Sequence, residues 1–529
     1  MPTTPLTPTP LPKLKLPIGI QTFREIREDD CYYVDKTGIA VDLVTAGKYY
    51  FLSRPRRFGK SLLLDTLKDM FEGHRELFIG LAAESRWDWS KKYPVIRISF
   101  GGGVVHTREA LGAKISEQLD INQQALGLTT VQPTLQGRFS ELIRLANAQA
   151  GQRVVVLVDE YDKPILDNIT EYRSEAAREM RDALRNLYSV IKDSDAHIKF
   201  AMLTGVSKFS KVSLFSGLNN LKDITLDARY SAICGYTDAD IDTVFAPELF
   251  DLDREQIRHW YNGYNWLGTS VYNPFDALLL FDSRQFRAHW FETGTPDFLV
   301  ALLMQRHTFT PDLERVMALE TLLSSFDVDF IPTEALLFQA GYLTIDSERR
   351  LPGMTQFTLR FPNMEVRSAL NGAMLERFSH DPARHGRLAP ELYDLLLAND
   401  FAGMKTLFTA FYASIPNEWF TNNKISHYEG YYASVFYSYF AALGLDIDCE
   451  KSSNAGRLDM ALRFNGQVYL FEFKVVELEP EGRALQQIKD KGYARPYLAL
   501  SQPIHQIGVE FSKTSRSVVG FEVETLHNK

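Results

Sequence analysis

Four short apolar runs in the first half of the chain constrain its fold more than any other feature. They span residues 48–52, 95–100, 154–158 and 198–204, and each is bounded by polar residues or glycine. Longer segments of helical periodicity separate them. A chain that alternates in this way builds a parallel sheet with helices on both faces, because each parallel connection needs a crossover. We therefore predict an α/β domain over residues 17–237.

The rest of the chain must form further domains. At 529 residues it is too long for one hydrophobic core, and domains of roughly 100–200 residues suggest about three. We predict a flexible proline-rich tail at residues 1–16, a mostly helical middle region at 238–400, and a second α/β domain at 401–529. The turn-rich sequence WYNGYNW at residues 260–266 interrupts the middle region.

Composition excludes several classes of protein. The three cysteines are far apart and form no CxxC pair, so neither a disulfide framework nor a zinc site is indicated. A reducing, cytoplasmic setting is the prediction. The apolar stretch at residues 431–445 is too short to span a bilayer, so no membrane partner is expected. Because the net charge is −9, any nucleic acid must bind to a local patch.

The first apolar run leads into a glycine, a lysine and a serine at the start of a helix. Residues 49–62 read YYFLSRPRRFGKSL, with Gly59, Lys60 and Ser61 at the junction. In a P-loop the glycine lets the backbone approach the phosphates, the lysine reaches the β- and γ-phosphates, and the hydroxyl binds Mg²⁺. The pattern GxxxxGK[ST] has glycine where this chain has Arg54. This segment alone therefore leaves two interpretations open: a nucleotide-binding loop, or a Gly-Lys-Ser sequence that occurs by chance at the start of a helix.

The third apolar run ends in acidic residues, as VVVLVDEYD over residues 154–162. Ligands of parallel sheets bind outside the carboxyl ends of the strands. Asp159 is then placed to hold Mg²⁺, and Glu160 to orient or deprotonate the attacking water. An exposed acid pair that caps a strand is the alternative. Because both motifs occur in P-loop order at strand ends, we predict that ATP and Mg²⁺ bind here.

Three further residues are candidates for contacts with the nucleotide. Thr204 ends the fourth run, where it could contact the γ-phosphate or the attacking water, or only satisfy backbone groups. Arg56 and Arg57 lie inside the loop. They could bind phosphates, face a neighbouring subunit or pair with Asp162.

A hairpin near the C-terminus carries a second candidate site. Two alternating runs flank the Asn-Gly pair at residues 465–466, which predicts a type I′ turn. That turn fixes a register in which Asp459 lies directly opposite Glu472, with Lys474 on the same face. Opposed carboxylates repel each other, so we predict a bound divalent metal, Mg²⁺ or alternatively Mn²⁺. A solvated surface hairpin is the other interpretation.

The motifs together resemble the bacterial AAA-ATPase-like family, whose members carry a PD-(D/E)XK nuclease-superfamily domain at the C-terminus. The resemblance implies an ASCE-type P-loop fold, with Lys60, Ser61, Asp159 and Glu160 in the usual roles. The sequence LLFQAGYLTI at residues 336–345 is similar to a stretch that we assign to a winged-helix-like part of the middle region. The motifs that carry the resemblance are YYVDKTG (32–38), FLSRPRRFGKSLLLDTL (51–67), VLVDEYDKP (156–164), TGVSKFS (204–210), SGLNNLKDIT (216–225) and WYNGY (260–264).

The C-terminal hairpin itself resembles the PD-(D/E)XK nucleases. That resemblance implies that Asp459 and Glu472 are metal ligands, and that Lys474 positions or activates the water and stabilises charge on the phosphorane. Glu429 matches the acid that the first helix of these domains often supplies to the metal. A glutamate at the start of a helix is also favourable with the helix dipole, which is the alternative for that residue.

The predicted helix that follows the strand carrying Lys474 is a candidate contact surface for DNA or RNA phosphates. Its glutamine and tyrosine resemble those of related nucleases, and a solvated helix face is the alternative. The candidate residues are Arg483, Gln487, Lys489, Lys491 and Tyr493.

We therefore predict an ATP-binding, ATP-hydrolysing protein with a Mg²⁺-dependent nuclease domain that cleaves DNA or RNA. Analogy with the family suggests defence or mobile-element biology. The alternative is an ATP-gated assembly or switch protein whose nuclease-like domain binds nucleic acid without cutting it. Because ASCE-type ATPases often complete the site with an arginine from a neighbour, we also predict a homo-oligomer.

Overall fold

The computed structural model describes residues 13–169, 174–208, 220–294, 297–306, 308, 310–323, 332–378, 382–413, 429–453 and 456–527. Most of the predicted tail at 1–16 lies outside them. The strands are β1 (Tyr49–Ser53), β2 (Val95–Ser99), β3 (Val154–Asp159), β4 (Ile198–Gly205), β5 (Lys222–Asp223), β6 (Val316–Leu319), β7 (Thr344–Leu351), β8 (Met354–Arg360), β9 (Asp446–Ser453), β10 (Gly456–Phe464), β11 (Gln467–Val476), β12 (Ile504–Ser512) and β13 (Val518–Leu526).

The α-helices of the described residues are α1 (Phe23–Glu28), α2 (Thr37–Ala46), α3 (Lys60–Glu72), α4 (Ala83–Arg86), α5 (Arg108–Leu126), α6 (Leu135–Ala150), α7 (Lys163–Leu166), α8 (Ser174–Asp193), α9 (Asp238–Val244), α10 (Arg254–Tyr261), α11 (Pro274–Ser283), α12 (His289–Gly294), α13 (Asp297–Gln305), α14 (Glu320–Leu323), α15 (Thr333–Ala340), α16 (Met364–Phe378), α17 (Pro382–Ala398), α18 (Phe401–Tyr412), α19 (Glu429–Ala442) and α20 (Arg483–Lys491). None of these helices has the length and apolar character that crossing a bilayer requires.

The N-terminal sheet has five parallel strands in the order β2-β3-β4-β1-β5. All residues of β1 and β3 are buried, which explains why their sequences are continuous apolar runs rather than alternating ones. β4 lies between β1 and β3, the arrangement of ASCE-type P-loop proteins. The predicted α/β fold is confirmed.

The register brings the motif-bearing ends of these strands to one edge of the sheet. Ser53 at the end of β1 pairs with Gly205 at the end of β4, and Asp159 at the end of β3 pairs with Ser99 in β2. The loop before α3 and the acids after β3 therefore start from the same edge, where ligands of parallel sheets bind.

The chain forms two compact units. The first comprises Met1–Gly294 and Met317–Asn363, and the second Thr295–Val316 and Met364–Lys529. This division follows spatial contacts. The predicted segments at 17–237, 238–400 and 401–529 divide the chain differently and stay a prediction.

The middle region is mostly helical, as predicted, but it also contains a three-stranded sheet in the order β6-β8-β7. β6 is followed by the short helices α14 and α15, and then by the antiparallel hairpin β7–β8. Winged-helix units share this order of strand, helices and hairpin, in line with the resemblance. These strands were not predicted, because β7 reads TIDSERRL, which is mostly polar and exposed.

The WYNGY sequence forms a turn after α10 that requires glycine. Gly263 has a φ of 117°, a conformation that side chains with a Cβ rarely adopt. A Cβ there would overlap the carbonyl oxygen of Pro362. The absence of a side chain therefore lets the chain after the β7–β8 hairpin pack against this turn.

The second unit contains a mixed five-stranded sheet in the order β13-β12-β11-β10-β9. Only β11 and β12 run parallel; the other pairs are antiparallel. α19 covers one face, where the rings of Phe436 and Phe473 are 5.1 Å apart. On the other face Ile488 of α20 joins a buried cluster with Leu470 of β11. The sheet is therefore buried on both faces around the predicted hairpin.

Candidate nucleotide-binding and metal-binding sites

The loop between β1 and α3 has the backbone of an anion-binding loop. Gly59, the residue before α3, has a φ of 86°, and Arg57 also has a positive φ of 67°. These left-handed residues turn the chain so that α3 begins at Lys60. The first backbone N–H groups of a helix have no partner within the helix and attract phosphate.

Lys60 is buried inside this loop. Its Nζ donates hydrogen bonds to the carbonyl oxygens of Arg54 at 2.9 Å and Pro55 at 2.8 Å. Burial lowers the pKa of Lys60, while the carboxylates of Asp159 and Glu160 act in the opposite direction. The ammonium group thus lies between the loop and the acids of β3, where a lysine that contacts β- and γ-phosphates is needed. Ser61 follows it, half-buried, in the first turn of α3.

Arg54 stands where the P-loop pattern has glycine, and its side chain is fully buried. Its guanidinium donates to the carbonyls of Ser53 at 2.8 Å, Thr225 at 3.0 Å and Tyr230 at 3.2 Å. It also lies 4.0 Å from the ring centre of Trp266, and burial lowers its pKa to about 10. The arginine therefore anchors the start of the loop to the segment after β5. From the sequence alone, Arg54 could be interpreted only as the absence of the glycine that the P-loop pattern requires.

Asp159 and Thr204 form a buried pair at the edge of the sheet. Oδ1 of Asp159 accepts hydrogen bonds from Thr204 Oγ1 at 2.9 Å and from the backbone N–H of Glu160 at 3.0 Å. Because β4 separates β1 from β3, Thr204 lies between the loop strand and the acidic strand. Its hydroxyl orients the predicted Mg²⁺-binding carboxylate.

Glu160 has a left-handed backbone with a φ of 50°, and its side chain is half-buried. Burial and the neighbouring Asp159 raise its pKa, which suits a carboxylate that accepts a proton from water. Gly101, in the loop after β2, makes room for this carboxylate. A Cβ at Gly101 would lie 3.2 Å from Glu160 Oε2.

The structure places Arg56 and Arg57 at the loop surface. The carbonyl of Arg56 accepts a hydrogen bond from Trp290 Nε1 at 3.1 Å, and the guanidinium of Arg57 lies over the ring of Phe275. Asp162, which the sequence left open as their partner, instead accepts hydrogen bonds from the backbone and side chain of Ser207. Asp162 therefore joins the ends of β3 and β4.

Arg97 is a residue of this site that sequence reasoning missed. Its guanidinium lies 2.6 Å from Asp65 of α3 and 3.9 Å from Asp159. It thus connects the helix after the loop to the acid of β3. The available signal was an arginine between the two isoleucines of strand β2.

The second unit contains the predicted hairpin with the predicted turn. Asn465 and Gly466 have φ values of 48° and 70°, as a type I′ turn requires. The β10–β11 register runs from Phe464 opposite Gln467 to Met460 opposite Phe471. The predicted register holds for these five pairs.

The ladder ends one residue before the predicted pair. Asp459 does not continue it as a backbone partner of Glu472; instead its carboxylate accepts a hydrogen bond from the backbone N–H of Phe473 at 2.8 Å. The strands separate here, and the acid satisfies an N–H that the ladder leaves free. Asp459 and Glu472 still interact, because the charge of Asp459 raises the pKa of Glu472.

Glu472 lies at the centre of this cluster and is only 1% exposed. Burial, followed by the charge of Asp459, raises its pKa to about 8, while Lys474 opposes that shift. Its Oε1 lies 3.4 Å from Lys474 Nζ and accepts a hydrogen bond from Gln487 Nε2. Its Oε2 is buried and has no hydrogen-bond partner among the described residues.

This donor set fits a divalent cation. A buried carboxylate oxygen without a partner costs free energy unless something binds to it, and two nearby carboxylates repel each other. Mg²⁺ and Mn²⁺ prefer carboxylate oxygens. The orphaned Oε2 of Glu472 beside Asp459 is therefore suited to a metal ion. Glu429 is the first residue of α19, but its side chain lies outside the described residues, so its role stays a prediction.

The structure divides the predicted phosphate-contacting residues of α20 into two groups. Gln487 and Tyr493 belong to the carboxylate cluster: Gln487 contacts Glu472 and hydrogen-bonds Tyr493, whose side chain is 3% exposed. The basic residues lie nearer the surface, where Arg483 pairs with Glu481 and Lys489 with Glu524. Lys491 is exposed. Phosphate contacts by the basic residues stay a prediction.

Comparison with known proteins agrees with the two types of domain. Residues 17–215 match a family model described as "Predicted AAA-ATPase", and residues 427–521 match the PD-(D/E)XK nuclease superfamily. The chain thus joins a AAA-ATPase-like domain to a C-terminal PD-(D/E)XK domain.

A protein of Azotobacter chroococcum mcd 1, described as an uncharacterized protein in the vnfD 5' region, is 65% identical over 513 residues. The match covers 97% of this chain and 99% of that protein, so the chain belongs to the same family. No solved structure gave a significant match.

Proposed function

We propose that the protein is an ATP-hydrolysing, Mg²⁺-dependent nuclease that cleaves phosphodiester bonds of DNA or RNA. The observation that carries the nuclease part is the buried Glu472 next to Asp459 and Lys474, whose Oε2 has no hydrogen-bond partner in the described part of the chain. The ATPase part is supported by the buried Lys60 between the loop and the acids of β3. Defence or mobile-element biology is the setting that the resemblance suggests.

At the nuclease site, Asp459 and Glu472 would hold the metal, which when bound supplies a Lewis acid and lowers the pKa of coordinated water. The protein's own residues arrange the reaction. Lys474 Nζ, held 2.9 Å from the carbonyl of Phe473, lies where it can orient a water and stabilise charge on the phosphate oxygens. In hydrolysis the water oxygen bonds to phosphorus, the bond to the leaving oxygen breaks, and that oxygen takes up a proton.

At the nucleotide site, Lys60 and the N-terminus of α3 would bind the phosphates, and Ser61 and Asp159 would hold Mg²⁺. Thr204 fixes the orientation of Asp159 through its 2.9 Å hydrogen bond. Glu160 would accept a proton from the water that attacks the γ-phosphate, a role that its raised pKa supports. Charge that develops on the γ-phosphate would be stabilised by Lys60.

The nuclease test uses the full chain with end-labelled single- and double-stranded DNA and RNA, with and without Mg²⁺ or Mn²⁺ and ATP. We expect metal-dependent cleavage that Asp459→Ala abolishes. Lys474→Ala should keep metal binding and lower the rate about 10²–10³-fold, as when a transition-state donor is lost. Lys513→Ala, a lysine paired with Glu477 in the same unit, is the matched control. Binding without cleavage on every substrate would favour the ATP-gated switch instead.

The ATP test uses calorimetry and phosphate release. Lys60→Ala should abolish binding because it removes the contact with the β- and γ-phosphates, whereas Glu160→Gln should bind ATP without hydrolysing it. Lys68→Ala, on the same helix but paired with Glu72, should change neither. A wild-type chain that is folded yet binds no ATP would refute the ATPase part.

A further inference from the structure

A buried carboxylate that no motif predicted lies next to the nuclease site. Glu510 of β12 is 2% exposed and pairs in register with Lys474 of β11. Its two oxygens accept four backbone N–H groups at the start of α20: Oε2 those of Glu481 at 2.6 Å and Gly482 at 3.0 Å, and Oε1 those of Arg483 at 2.6 Å and Ala484 at 3.3 Å. Three of them, from Gly482, Arg483 and Ala484, belong to the first turn, whose N–H groups a helix cannot satisfy internally.

Two glycines let the helix and the carboxylate fit together. Gly520 of β13 lies opposite Glu510, and a Cβ there would be 3.0 Å from the Cβ of Glu510. Gly508 lies opposite Glu472 in the sheet, and a Cβ there would overlap the backbone N of Leu485 in α20. The first turn of α20 therefore rests directly on β12 and is held there by a charged acceptor, which also complements the positive end of the helix dipole.

The position of α20 determines how Glu472 is oriented. The amide of Gln487, one turn into the helix, donates to Glu472 Oε1. Oε2 of Glu472 is left without a hydrogen-bond partner among the described residues. Glu510, α20 and Gln487 thus form a continuous chain of contacts that distinguishes the two oxygens of Glu472.

We propose that Glu510 is a positioning residue for the metal-binding carboxylate Glu472. It holds α20 in the register at which Gln487 binds Oε1, so that Oε2 points freely to a divalent cation. Glu510 is not itself a metal ligand, because both of its oxygens are engaged by backbone N–H groups. This inference rests on the metal site proposed above.

The test measures the Mn²⁺ affinity of the full chain by calorimetry, without nucleotide. The part of the binding that Asp459→Ala removes is assigned to the nuclease site. Glu510→Gln keeps the size of the side chain but presents an amide N–H₂ to two of the four donors. Residues that hold metal ligands in place typically contribute about 10–100-fold to metal affinity. We therefore expect Glu510→Gln to lower the Mn²⁺ affinity by at least about tenfold. Glu510→Asp, which keeps the charge but is shorter, should show a smaller loss and serves if Glu510→Gln does not fold.

A double-mutant cycle separates positioning from general stability. If Glu510 acts through Gln487, then Glu510→Gln should weaken Mn²⁺ binding no further in a Gln487→Ala background. Asp400→Ala, which removes the N-cap of α18 in the same unit, is the control and should lower the melting temperature without changing Mn²⁺ affinity. Unchanged affinity in both Glu510 variants, or losses that multiply in the double variant, would overturn the inference. If Asp459→Ala removes no binding, the metal site itself is refuted.

Discussion

At the scale of single residues, the raised pKa of Glu472 makes a prediction about pH. In the unfolded chain this carboxyl has an ordinary pKa of 4.5, whereas in the folded chain it is about 8. Between these values the folded chain binds more protons, so its stability falls as the pH rises through that window. We expect the melting temperature of the metal-free chain to fall from pH 6 to pH 8, and Glu472→Gln to reduce that fall. Equal pH dependence in both chains would contradict this.

Metal binding should depend on the same proton. Because the carboxyl must lose its proton to bind a cation, Mn²⁺ affinity should rise with pH until about 8, by roughly tenfold per unit for a single proton. Titration calorimetry in buffers of different ionisation enthalpy would detect the released proton. Glu472→Gln should show neither the binding nor the proton release.

Arg54 shows how a motif can be misjudged at a single position. Its replacement by glycine would restore the P-loop pattern but leave three backbone carbonyls without their charged donor. We expect Arg54→Gly to destabilise the first unit by at least about 3 kcal/mol, since each of the three lost hydrogen bonds to a charged group contributes about 1.5–3 kcal/mol and solvent can replace part of that. Scanning calorimetry would measure it. Arg229→Ala, which replaces an exposed arginine next to Tyr230, should change the free energy of unfolding little. An Arg54→Gly chain that is as stable as the wild type would refute the anchoring role of Arg54.

At the scale of elements, the hairpin was the part of the site that the sequence could predict. Period-two alternation and the Asn-Gly turn determine a local register, and five pairs follow it. The departure from that register at Asp459 could not be predicted from alternation, because the Asp459 carboxylate instead accepts a hydrogen bond from the backbone N–H of Phe473. The same holds for Arg97, whose partner Asp65 lies 32 residues away, and for Glu510, whose partners lie 26–29 residues away in the sequence.

The turn itself can be tested. Gly466 has a φ of 70°, and a Cβ there would meet no atom within 4 Å, so a substitution changes backbone strain without a steric clash. Gly466→Ala should therefore lower the stability of the second unit by about 1–2 kcal/mol, the cost of the left-handed conformation for a residue with a Cβ. Asn465→Gly, which relieves the same strain, should be nearly neutral. A thermal scan in which Asn465→Gly lowers the melting temperature more than Gly466→Ala does would contradict the turn assignment.

At the scale of the whole molecule, the surface position of Arg56 and Arg57 leads to a prediction about assembly. Both lie at the rim of the nucleotide loop, where a neighbouring subunit could also approach. We predict a homo-oligomer that is promoted by ATP and lost in Lys60→Ala, since binding of nucleotide would create the interface. Sedimentation over a range of concentrations, with and without ATP, would measure it. A monomer under all conditions would refute the prediction.

The turn at Gly263 has a consequence for how relatives of this protein should be interpreted. The glycine is required because a carbonyl of a distant segment occupies the place of a side chain, and no reacting group is involved. A descendant that had lost every acid of both sites would still need a glycine at position 263 for these two segments to pack in this way. The glycine at position 263 therefore reports on the fold and not on activity, whereas the proposed roles of Glu160 and Glu472 predict that those two positions separate a working enzyme from an inactive relative.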